Sequence, residues 1–168
     1  LKILKYIIEV FEKKKISYWF DYSGLLSLMR KRSLAELSDV DISVKLQNVK
    51  LAIYLLNKKN NLFNFFSKRI IDKNSRKILP RFYVIGKIKE RNFEPPIIDF
   101  ISKKFLKKYN INLIEDRKYP STFFNSHKIK SYKKLKFRIP NEPLKYLKFV
   151  YGKDWKEPKD TWSVKRKK

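Results

Sequence analysis

Cysteine is absent from the 168 residues, histidine occurs once, glycine three times and methionine once. Without cysteine there is no disulfide, no thiolate zinc site and no cysteine nucleophile, a composition that fits a reducing compartment. With His127 alone, a histidine-based metal site or a pair of catalytic histidines is excluded. Acids are scarce too: 16 Asp and Glu stand against 42 Lys and Arg, for a formal charge of +26. No apolar run approaches the roughly 18 residues that a membrane-spanning helix needs. The apolar start, Leu1 to Val10, is broken by Lys2, Lys5 and Glu9 and has no small-residue cleavage site, unlike a signal peptide. The sequence opens on Leu rather than Met, so we expect residues upstream of it, a targeting segment among them if there is one. The expected location is cytoplasmic, with at most peripheral contact with an anionic membrane.

What is abundant is aromatic and basic. Hydrophobic residues make up 43%, including 10 Tyr, 13 Phe and 3 Trp, enough to build the core of one folded domain. The positive charge attracts polyanions, nucleic acid first among them. Yet the cations are mostly Lys, beside many Asn, Ile, Phe and Tyr, and they are scattered in short runs, as an AT-rich coding bias produces. A dedicated nucleic-acid module more often gathers them on one face.

Leu1, Leu4, Ile7, Ile8 and Phe11 share a helical face that ends at the Lys13 to Lys15 triplet. The pattern then predicts a strand from Ser17 to Asp21, a helix from Gly24 to Lys31, a half-buried strand from Val40 to Val44 and an amphipathic helix from Val49 to Leu56. Strands are expected at Phe63 to Ile71 and Phe82 to Ile88, around a turn from Asp72 to Arg76. Pro95-Pro96 forces extended geometry before the apolar Ile97 to Ile101. A basic helix is expected from Ser102 to Tyr109, and turn-rich chain from Asn110 to Lys136. Pro143 and Gly152 bracket a short helix. The fold class is α/β (α+β), a mixed sheet flanked by helices, with one domain over residues 1–158 and a basic tail over 159–168.

The chemistry concentrates in Asp39-Val40-Asp41. Residues two apart in a strand share a face, so both carboxylates can serve one ion, and hard cations such as Mg²⁺ or Mn²⁺ prefer oxygen ligands beside substrate phosphates. These acids interrupt a β-branched strand, where an unpartnered carboxylate is costly. Asp99 does the same in a second apolar strand, as a third candidate ligand or as an acid paired with a neighbouring base.

Phe20-Asp21-Tyr22-Ser23-Gly24-Leu25-Leu26-Ser27-Leu28-Met29-Arg30, followed by Ser38-Asp39-Val40-Asp41-Ile42, resembles the LicD/fukutin-like signature of the nucleotidyltransferase superfamily, approximately GGTLLGxxR and then DDDID. Arg138 to Leu147, then Tyr151-Gly152-Lys153-Asp154-Trp155-Lys156-Glu157-Pro158, is similar to that family's closing pattern, vPxnxexyLxxxYGxdWxxP. The resemblance implies a nucleotidyltransferase-like fold and metal-dependent transfer of a phospho-alcohol, such as phosphocholine or ribitol phosphate, from a CDP-linked donor to a glycan or glycolipid. It implies Asp39, Asp41 and Asp99 as metal-binding and catalytic acids, and Ser23, Gly24 and Arg30 as substrate-binding residues. The chain departs from the pattern where the paired glycines become Tyr22 and Ser23, and where the acid before the DxD becomes Ser38. The alternatives are a minimal nucleotidyltransferase acting on RNA or protein, and an inactive basic module that binds RNA or membrane.

Overall fold

A computed structural model describes residues 2–34, 37, 39–58, 63–71, 78–88, 97–106, 111–114 and 117–158; at positions 39, 46, 63, 64, 66–71, 78–88, 97–106, 111–114, 117 and 118 it describes the backbone alone. The expected Asp72 to Arg76 turn, Ser38 and the tail over 159–168 lie outside the described residues.

Helix α1 (Lys2–Lys13) buries Ile3, Leu4, Ile7, Ile8 and Phe11, the stripe its period predicts. Strand β1 (Tyr18–Phe20) leads into α2 (Tyr22–Met29), then β2 (Asp39–Lys45), α3 (Val49–Lys58), β3 (Phe63–Ile71) and β4 (Ile78–Ile88). Next come β5 (Ile97–Leu106), β6 (Ile111–Ile114), β7 (Arg117–Pro120), β8 (His127–Tyr132), β9 (Leu135–Pro140) and α4 (Pro143–Tyr151). The main sheet has the order β1-β2-β5-β4-β3, with β6 on β5 and β7 on β6. Its one parallel pair is β2 with β5; the other pairings are antiparallel. Among the described residues no helix is long and apolar enough to cross a membrane.

Two expectations are corrected. Residues 102–106 continue β5 instead of forming a basic helix, because Lys103 pairs with Lys45 of β2 and Lys104 to Leu106 pair with β6. Ladder pairing first with β2 and then with β6 outweighs the local helical composition. The stretch expected to be turn-rich holds β6, β7 and the antiparallel β8–β9 hairpin, where Lys130 pairs with Phe137 and Tyr132 with Leu135 across the Lys133-Lys134 turn.

The hairpin closes the core from the β1 side. Phe137 is fully buried, its ring centroid 4.5 Å from that of Phe20, and Arg138 lies over the Tyr18 ring at 5.5 Å. Phe20 is pressed from behind by α2: a Cβ built on Gly24 would stand 2.7 Å from Phe20 Cε1 and 3.0 Å from Cζ. Both rings are buried and cannot swing away cheaply. Gly24→Ala should therefore destabilise the fold by about 1–3 kcal/mol, the usual range for overpacking, measurable as a lower urea midpoint at unchanged slope.

Candidate active site

Asp41 and Asp99 are register partners in the parallel β2–β5 pair, and Asp39 pairs with Ile97 two residues earlier. Laterally paired residues share a face, as do residues two apart along a strand, so positions 39, 41 and 99 lie together on one face of the sheet. Backbone topology thus gathers the three acids expected from the sequence. The side chains of Asp39 and Asp99 fall outside the described set, within which no three potential ligands converge on one point.

The Asp41 carboxylate itself is buried, at 5% exposure. Its Oδ2 accepts the Ser23 backbone N–H at 3.0 Å and the Ser23 hydroxyl at 2.6 Å. Two donors from the first turn of α2 fix the orientation of this carboxylate and add the favourable field of a helix N-terminus. Ser23, expected in a turn that binds substrate, thus donates directly to Asp41, the residue expected to hold a metal. Gly24, expected in the same turn, sits inside α2 with its open side filled by Phe20.

The preceding residues explain how α2 is aimed. Asp21, fully buried, is the N-cap of α2: Oδ1 accepts the Tyr22 N–H at 2.8 Å and the Tyr146 hydroxyl, and Oδ2 accepts the Ser43 hydroxyl. Its own N–H donates to the Asp41 carbonyl at 2.9 Å. One residue thereby ties β1, α2, β2 and α4 together. Tyr22 has φ of 31°, in the left-handed region that favours glycine, at one of the positions where the resembling signature has its paired glycines. Its ring is held by a 2.8 Å hydrogen bond shared with the Tyr119 hydroxyl and by an edge contact with Tyr146.

Arg30, at the C-cap of α2, was expected to bind substrate. Its Nε donates to the Trp155 carbonyl at 2.9 Å, and Nη2 donates to the Trp155 carbonyl and, at 2.6 Å, to that of Glu157. Arg30 therefore anchors the closing segment, so the two stretches that carry the family resemblance meet in space. Its charge still reaches Tyr151, whose pKa it lowers against larger opposing effects.

Those opposing effects come from burial first and then from the Asp41 and Asp21 charges, and together they hold the Tyr151 phenol well above its ordinary value. Burial, followed by Asp21, likewise raises Tyr146. A raised folded-state pKa means that the unfolded chain ionises these phenols first. The stability they contribute is complete below the ordinary value of 10.0 and is lost as pH climbs above it. Melting temperature should fall steeply above about pH 10, with tyrosinate absorbance from the buried phenols rising only as the protein unfolds.

Asp21, Ser43 and Tyr146 were missed by sequence reasoning. Asp immediately before a helix start is an N-cap signal, so Asp21 was within reach of it; the other two depend on long-range packing.

No family model matches the chain and no curated protein matches it. Among solved structures it is similar to the lincosamide antibiotic adenylyltransferase LnuA in its lincomycin-bound crystal structure, at 17% identity and a TM-score of 0.56, covering 90% of this chain and 85% of that one. This likeness shows the fold, a nucleotidyltransferase-like mixed sheet flanked by helices.

Proposed function

We propose that the chain is a metal-dependent transferase that breaks the diphosphate link of a nucleotide-activated donor and passes a phosphorus-bearing group to an acceptor hydroxyl. The observation that carries the reading is the Asp41–Asp99 register pair with Asp39 two residues upstream. Acids at three positions on one face of a sheet would supply a hard oxygen set suited to Mg²⁺ or Mn²⁺, and Ser23 orients the carboxylate at position 41. The ion would neutralise charge developing on the diphosphate. Asp39 and Asp41 act as ligands; Asp99 completes the set or takes the proton of the acceptor hydroxyl. Arg30 contributes through its charge and by seating the Trp155 segment.

The finer reading is a LicD-like reaction: the acceptor oxygen bonds to the phosphorus bearing the alcohol, the diphosphate P–O bond breaks, and CMP leaves. It is supported by the two motifs and by their contact through Arg30. A glycan or glycolipid is the acceptor in this reading. A second reading, nucleotidyl transfer from an NTP with release of pyrophosphate, is favoured by the adenylyltransferase likeness.

Phosphorus NMR of the protein with Mg²⁺ or Mn²⁺ and CDP-choline, CDP-ribitol, ATP or CTP separates the readings. CMP release from a CDP-alcohol supports the first, and pyrophosphate from an NTP the second. A folded protein that turns over none of these donors and binds no Mn²⁺ would defeat both.

A further inference from the structure

Residues 127–138 hold six Lys or Arg and no acid. The β8–β9 register sets Ile129 opposite Arg138 and Ser131 opposite Lys136, on the face turned away from the buried Phe137 and Ile139. Ile129 is 53% exposed, with Lys128 exposed on one side and Lys130 half-buried on the other. A groove of about 670 Å³ separates this face from α1, and Ile8 and Leu135 line it beside Ile129. The groove's two acids are already engaged: Glu9 pairs with Lys5 at 3.7 Å, and Glu12 takes Arg138 and the Tyr18 hydroxyl. Lys133, Lys134 and Lys136, all exposed, meet no acid among the described residues. The arrangement is an apolar strip rimmed by uncompensated cations.

The tip of this hairpin meets the connection between α2 and β2. The Tyr132 hydroxyl accepts the Leu34 N–H at 3.3 Å, and Leu34 belongs to the connection that leads from α2 to Asp39. We propose that the β8–β9 hairpin, with the α1 side of its groove, docks on an anionic lipid bilayer, lysines against the phosphate headgroups and Ile129 entering the interface. A bilayer accepts both parts of the surface: juxtamembrane lysines gain from the surface potential and an aliphatic side chain gains from the interface. Single-stranded nucleic acid is the poorer match, since its binders add exposed aromatic platforms. The hairpin's two aromatic residues are the buried Phe137 and the half-buried Tyr132. An acceptor carried by a lipid would then share a surface with the docked protein; that consequence rests on the proposed function, whereas the docking does not.

Flotation of the full chain with vesicles of phosphatidylcholine, alone or mixed with phosphatidylglycerol, tests the docking without any turnover. Because the whole protein is basic, the decisive comparison is between two charge-matched triples: Lys133→Glu, Lys134→Glu, Lys136→Glu on the hairpin, and Lys50→Glu, Lys148→Glu, Lys153→Glu elsewhere. The hairpin triple should lower partitioning on anionic vesicles by about 100-fold or more, roughly fivefold for each lysine, and the control triple far less. Ile129→Ser should weaken the binding that survives at high salt, where charge is screened. Equal losses in the two triples would reduce the attraction to diffuse net charge and overturn the proposal. So would a hairpin triple that loses poly(U) binding while keeping its vesicle binding, which would make this a nucleic-acid surface. An unchanged Ile129→Ser variant would overturn the insertion.

Discussion

Asp41→Asn should lower transfer by at least about 10²-fold while leaving the protein folded, with a melting temperature equal to or slightly above that of the parent. Asparagine has the shape of aspartate, and its amide oxygen can still accept the Ser23 N–H and hydroxyl that now converge on Oδ2. What it removes is an anionic oxygen: an amide nitrogen cannot ligate a hard cation. The substitution also takes a negative charge from a face shared with the acids at positions 39 and 99, and separating like charges is favourable when no ion is bound. Activity and stability should therefore move apart. Donor turnover read beside thermal unfolding checks this, and a fall of many degrees in the melting temperature would mark Asp41 as half of a structural ion pair instead.

The local parts of this site could be read from the sequence, while the arrangement that joins them could not. Asp39 and Asp41 stand out because two acids interrupt an alternating β-branched run, and Asp99 because one acid interrupts another. That Asp99 lies opposite Asp41 depends on β5 inserting beside β2 after β3 and β4 have been made. Such long-range pairing has no local signature. The same pairing makes a strand of residues 102–106, where the spacing of Ser102, Lys103, Lys104, Phe105 and Leu106 suits a helix. The β9 half of the hairpin, by contrast, is legible locally, with Leu135, Phe137 and Ile139 alternating with Lys136 and Arg138, whereas in β8 Ile129 and Tyr132 fall on opposite faces and break the period. At Tyr22 the departure from the resembling signature is met by structure. The backbone keeps a left-handed φ at a position where the signature has glycine, and the ring is anchored by Tyr119. A tyrosine there adds strain of about 1–2 kcal/mol and contributes contacts that offset it.

Asp21→Ala should cost about 3 kcal/mol or more, the largest stability loss expected from a single side chain around the site. The N-cap of α2 goes first, worth about 1 kcal/mol. The Tyr146 and Ser43 hydroxyls then lose a buried acceptor, and each unmet donor costs about 1–3 kcal/mol unless it finds another partner. In a chain of this length, 3 kcal/mol corresponds to a melting temperature lower by roughly 6–12 °C. The effect should reach the chemistry as well, because α2 carries Ser23 and the aim of α2 sets where its two donors meet Asp41. Asp21→Asn separates hydrogen bonding from charge. Its oxygen can accept from Tyr22 N–H and Tyr146, and its amide can donate to the Ser43 hydroxyl, so most of the stability should return. Equilibrium unfolding in urea provides the comparison, with Mn²⁺ affinity as a second readout that cap loss alone would not move. If the alanine variant unfolds within about 0.5 kcal/mol of the parent, the range of an ordinary surface substitution, then Asp21 does not hold α2 in place, and the orientation of Ser23 must come from the packing of Gly24 against Phe20.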